Sequence, residues 1–199
     1  LYPALFGMIG GVLKSLCIAV GWILYPQGRD ISTIIAGLYL SQGLFFMSIC
    51  MTKGATEHST SLLRTGALIG LLSGILATSA IVLFLYRGAD LTAFDHAVVN
   101  GSFLGGAVGI VYGVGSTDRR WVYLIVGFLG GGIGVLSLHS SGTIADLTAM
   151  LLWKLSSSLD IAMVYGKWIV YPLDGITQSL LIWFSLAYAK EFFGVRDRN

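Results

Sequence analysis

Polar residues in this chain come in short clusters separated by long apolar stretches. The stretches cover residues 4–25, 31–52, 62–86, 94–115, 121–138 and 173–193. A bilayer core about 30 Å thick is crossed by roughly 20 apolar residues in a helix, so each stretch reads as a membrane helix or nearly one. The last follows Tyr171-Pro172, and proline suits a helix start because its missing N–H would be unpaired there. Residues 144–170 break the pattern with Lys154, Ser156, Ser157, Ser158, Asp160 and Lys167. A central Lys or Asp costs about 2.5 to 3.5 kcal/mol on insertion. The segment is therefore read as an interfacial or re-entrant pair of short helices, with a seventh span as the alternative. The predicted fold is an all-α polytopic bundle of six transmembrane helices in one domain, 1–199.

Loop charge supports six. Lys53, Arg64, Arg119, Arg120, Lys190, Arg196 and Arg198 then share one side, against Arg29 and Arg87 on the other. By the positive-inside rule both termini are expected in the cytoplasm, with the protein in an inner or plasma membrane. An internal repeat supports seven. Ala-Asp-Leu-Thr-Ala occurs at 89–93 and at 145–149, and Asp30, Asp90 and Asp146 follow successive apolar runs. Parallel hairpins at 4–52, 66–115 and 121–170, followed by a terminal helix at 173–193, would produce this recurrence. The three aspartates are expected to cap helices; an acidic vestibule at a pore mouth is the bolder reading.

Glycine spacing indicates how such helices would pack. Gly66, Gly70 and Gly74 recur every fourth residue, as do Gly101, Gly105, Gly109 and Gly113; Gly7 with Gly11, Gly127 with Gly131, and Gly130 with Gly134 repeat the interval. Four-residue spacing aligns the glycines along one stripe, where a neighbouring backbone can approach. A tightly packed, glycine-zippered bundle is expected. Any stripe left unused inside the molecule would favour a homo-oligomer or a partner in a membrane complex.

Composition names the solvent. The 199 residues are 55% hydrophobic and 11% charged, with 27 glycines, and mean hydropathy is +0.81. A soluble domain carries about a quarter charged residues, so this chain requires a lipid bilayer as its partner. A net charge of +2, scattered along the sequence, excludes a nucleic-acid face. Cys17 and Cys50 lie within apolar runs as small hydrophobes, and no zinc or Cys-Xaa-Xaa-Cys spacing occurs, so neither metal nor cofactor is expected. The first run lacks a basic flank and a cleavage pattern and contains Lys14, so it reads as a retained helix and not a signal peptide. The chain opens on Leu1 rather than Met, and further residues are expected before it.

Candidate chemistry rests on the few polar groups inside apolar runs. Lys14 lies too deep in the first run to snorkel easily and shares a face with Gly7, Gly10, Gly11, Ile18 and Gly21. Asp95, beside His96, and Asp160 are its expected charge partners. His96 and Asn100 form an i, i+4 pair away from the fourth run's glycine stripe, suited to proton relay and solute positioning. Gln42 is expected to make an interhelical hydrogen bond; Asp174 and Gln178 are weaker candidates. Together Lys14, Gln42, Asp95, His96, Asn100 and Asp160 suggest the pathway of a small channel or transporter. The alternatives are an accessory subunit of a larger complex and, third, an intramembrane enzyme. Against the last, the Gly-Xaa-Ser-Gly string of rhomboid proteases and the His-Glu-Xaa-Xaa-His metal motif are both missing.

Overall fold

The computed structural model describes residues 1–24, 31–88, 93–114, 120–133 and 159–193, with side chains in 1–20, 35–88, 95–114, 120–133 and 168–193. These residues are helical, without strands among them. Six long helices are α1 (Tyr2–Leu24), α2 (Ile31–Cys50), α4 (Thr60–Tyr86), α5 (Ala93–Gly113), α6 (Arg120–Ile133) and α7 (Leu159–Phe192); α3 (Thr52–Thr56) is a short turn of helix after α2. Helix is what the composition demands, because in lipid every backbone N–H and C=O must be satisfied within its own segment. Four stretches are helical, apolar and long enough to cross a membrane: Tyr2–Val20, Ile35–Thr56, Thr60–Tyr86 and Trp168–Phe192.

The helices form a closed ring in which α1 packs on α2, α2 on α4, α4 on α5, α5 on α6, α6 on α7, and α7 back on α1. Glycines set the register of three of these seams. Side chains on Gly66, Gly70 and Gly74 of α4 would strike the α2 backbone at Cys50, Phe46 and Gln42. Side chains on Gly101, Gly105 and Gly109 of α5 would strike α6 at Gly131, Gly127 and Tyr123. Gly7 meets Gly175, and Gly11 meets Tyr171 and Pro172, between α1 and α7. At each seam a step of four along one helix is matched by a step of four back along the other, so the three pairs are antiparallel. Such contact replaces hydrophobic driving force, which lipid does not supply, with dispersion between closely approached backbones.

Among the described residues the centre of the ring is filled. Phe45, Phe46 and Ile49 of α2, Leu104 and Val111 of α5, and Ile182 and Leu186 of α7 are each at most 1% exposed and fill its centre. A cavity of about 10 Å³ remains among Pro3, Ile49, Thr52, Val108, Tyr112, Ser179 and Trp183, room for about one water. Outward faces are apolar, with Leu68, Leu72 and Leu76 on α4 and Leu124 and Phe128 on α6 exposed. Buried hydroxyls are satisfied locally: those of Ser15, Ser48, Thr52 and Thr78 donate to carbonyls three or four residues back in the chain.

The helix ends follow their local chemistry. Ser59 caps α4 by accepting from the Leu62 amide at 3.3 Å. Gly88 ends it at φ 78°, a conformation that a side chain would strain. The terminal helix begins at Leu159, not after Pro172, so Pro172 lies inside it. Proline is tolerated there because neighbouring groups in a bundle can re-satisfy the freed carbonyl. At 34 residues, about 51 Å, α7 is far longer than the expected 173–193. It also absorbs the part of 144–170 from residue 159 onward, and residues 144–158 lie outside the described residues. Asp30, Asp90 and Asp146 lie outside them too, as does the Asp160 side chain.

Candidate functional site

The α1–α7 seam explains where Lys14 goes. Gly7 and Gly11 bring the α1 backbone against α7, and one turn further Lys14 emerges between α2 and α7. Its Nζ stands 5.0 Å from the ring centroid of Phe45 and 4.9 Å from that of Tyr171. Two aromatic faces can hold an ammonium through their quadrupoles, and more strongly in a desolvated place than in water. The opposite charge acting on Lys14 is Asp174 of α7, which is 5% exposed. Gln178, one turn on, donates from Nε2 to both carboxylate oxygens, at 3.0 and 3.1 Å. A carboxylate so held is fixed in orientation.

The same register sets Lys14 level with Trp168, four residues before Pro172. Proline offers no amide to the Trp168 carbonyl, so α7 has an acceptor without its helical donor at the depth of the ammonium. One stretch of the bundle thus holds a cation, a buried carboxylate, an amide, two aromatic rings and a freed carbonyl. The set can bind a small charged or polar species, or exchange protons with one.

The sequence-predicted candidates do not all meet. Asp95 and Asp160 are the charge partners the sequence suggests for Lys14; among the described side chains the carboxylate acting on it is Asp174, and that of Asp160 lies outside them. The sequence treated Asp174 as a residue near a helix start, because Pro172 looked like that start. The missed signal was Asp174–Gln178 at i, i+4 spacing in an apolar helix. Asp95 lies in the first turn of α5, where a carboxylate suits the helix dipole. His96 and Asn100 are part-buried on α5, which packs between α4 and α6, whereas α1 packs between α2 and α7. Asn100 Oδ1 is a buried acceptor without a partner among the described residues. Gln42 is buried at the α2–α4 seam, where its carbonyl abuts Gly74; the side-chain hydrogen bond joining these helices is Tyr39 Oη with Ser79 Oγ, 2.9 Å.

Lys53 stands apart from its expected place on a loop. It is 7% exposed, and its Nζ donates to the Tyr112 carbonyl at 2.9 Å and lies 3.6 Å from Glu57 Oε1. Tyr112 is in the last turn of α5, where carbonyls lack helical donors and a cation suits the dipole. Its role is to close a helix end. No group of three or more potential metal ligands occurs among the described residues. Comparison of the chain with protein-family models, curated proteins and solved structures finds no match.

Proposed function

We propose that this protein is a small six-span membrane transporter, moving an ion or small solute past Lys14 in the α1–α2–α7 corner of a glycine-zippered bundle. The observation that carries the proposal is the Lys14 ammonium lodged between Phe45 and Tyr171, with Asp174 as its counter-charge, well inside the apolar length of α1. Charges in that position are costly and are usually kept for binding or relay. Packing alone does not ask for one, since Ala77, one turn past Gly74 at the α2–α4 seam, is fully buried without a charge.

Helix direction supports six spans with both chain ends on one side. Tyr2, at the start of α1, packs its ring on His58 in the α3–α4 turn, centroids 6.5 Å apart. Because α7 runs antiparallel to α1, its C-terminal end lies at that same end of the bundle. Exposed Trp121 and Tyr188 lie there too, and Tyr86 is exposed at the other end of α4. Aromatic residues at both ends suit the two membrane interfaces. Arg64, Arg120 and Lys190 share the α3 end, which favours the cytoplasmic side for it in an inner or plasma membrane. The filled centre favours a carrier that exposes its site in turn over a standing channel.

Reconstitution tests the proposal. Vesicles containing the protein and a pH-sensitive dye, given gradients of protons, sodium, potassium, chloride and phosphate in turn, should dissipate at least one faster than empty vesicles. Lys14→Met should abolish that rate, with Lys14→Arg retaining part of it. Rates equal to empty vesicles for all five, or an unaffected Lys14→Met, would refute the transport reading at this site.

A further inference from the structure

The α5 and α6 backbones touch from Gly101–Gly131 down to Gly109–Tyr123 and loosen slightly beyond it. At Gly113 an added Cβ would stand 3.3 to 3.4 Å from Arg120, a tight contact in place of a collision. Beside this end of the seam lies a surface groove of about 340 Å³, lined by Ile110, Gly113, Val114, Arg120, Trp121 and Leu124. That is the size of a small-ligand site. Ile110, Val114 and Leu124 give it an apolar wall, 40 to 45% exposed. Arg120 and Trp121 stand exposed at its mouth, Trp121 by 62%.

An apolar trough with a guanidinium at its mouth fits a molecule with a chain at one end and an anion at the other. A guanidinium binds phosphate by paired N–H donors, and its five donors allow this alongside contacts within the chain. Tryptophan settles at headgroup depth. The cleft is at the α3 end, which carries Arg64, Arg120 and Lys190 at its surface beside Glu57 and Glu191, with Arg119 adjacent in sequence. A basic end of this kind attracts anionic lipid. We infer that the α5–α6 cleft binds an anionic phospholipid, with the phosphate on Arg120 and an acyl chain along Ile110, Val114 and Leu124. The inference is independent of the Lys14 site, which lies against α2 and α7.

Native mass spectrometry of the whole protein in mild detergent, titrated with phosphatidylglycerol or phosphatidylcholine of the same chains, tests it. Phosphatidylglycerol should bind in preference, and Arg120→Gln should weaken it about fivefold, the worth of one basic residue at an anionic surface. Val114→Trp, which fills the trough and leaves Arg120 intact, should lower binding as well, and millimolar inorganic phosphate should not displace the lipid. Equal binding of the two lipids, or unchanged binding in both variants, would overturn the inference. So would displacement by phosphate, which needs no trough. Should Arg120→Gln lose helical content, Arg120→Lys decides: retained preference supports the charge requirement, and lost preference with a folded protein contradicts it.

Discussion

Gly105 and Gly127 meet backbone to backbone, each carbonyl standing where the other's side chain would begin. Neither residue can gain a side chain unless α5 and α6 separate. Overpacking typically costs about 1 to 3 kcal/mol where side chains can adjust, and here the obstacle is backbone. Gly105→Leu or Gly127→Leu is expected to destabilise the protein by about 3 kcal/mol or more, seen as a large fall in melting temperature in detergent. Gly37 provides the control. It is exposed on α2, and a Cβ there meets nothing within 4 Å, so Gly37→Ala should leave the melt unchanged or raise stability by up to about 1 kcal/mol.

Lys53 provides a second, separable prediction. Its hydrogen bond to the Tyr112 carbonyl is charge-assisted and part-buried, whereas its ion-pair partner Glu57 is half exposed. Lys53→Met should cost about 2 kcal/mol by leaving the carbonyl unpaired. Glu57→Gln should cost less than about 0.5 kcal/mol, since exposed ion pairs contribute little. Thermal denaturation of the two variants side by side checks the ratio.

Lys14 and Asp174 can be tested as a pair. Removing one charge strands the other in an apolar region, so Lys14→Met and Asp174→Leu should each destabilise by about 3 kcal/mol. The double variant strands neither and should recover more than half of the summed loss, a coupling that a double-mutant cycle measures. Transport should remain absent in the double variant. Recovery of both stability and transport would make the pair structural.

Much of the architecture was legible because a bilayer imposes simple rules. Long apolar runs had to be helices, and four-residue glycine spacing had to bring backbones together; Gly101, Gly105 and Gly109 do so against α6. What failed were local signals with two meanings. Pro172 reads as a helix start, yet within a bundle the same residue can sit mid-helix, and misplacing it hid Asp174 as the partner of Lys14. Lys53 counts as a loop charge in any tally of basic residues, yet α3 turns it inward to close the end of α5. His96 and Asn100 share a helix face, as their spacing implied, but sequence spacing says nothing about which helices adjoin. Only the ring order shows that Lys14 and His96 belong to different corners of the bundle.

The central claim is that Lys14 lies on a water-reachable path through the bundle, and cysteine accessibility tests it without knowledge of the solute. Lys14→Cys, in a background with Cys17→Ala and Cys50→Ala, would be exposed in sealed vesicles to a charged, membrane-impermeant methanethiosulfonate from each side in turn. Modification from at least one side is expected, at a rate well above that of a cysteine placed at outward-facing Leu72. Protection from both sides, with full reaction after denaturation, would contradict it and leave Lys14 a buried structural charge.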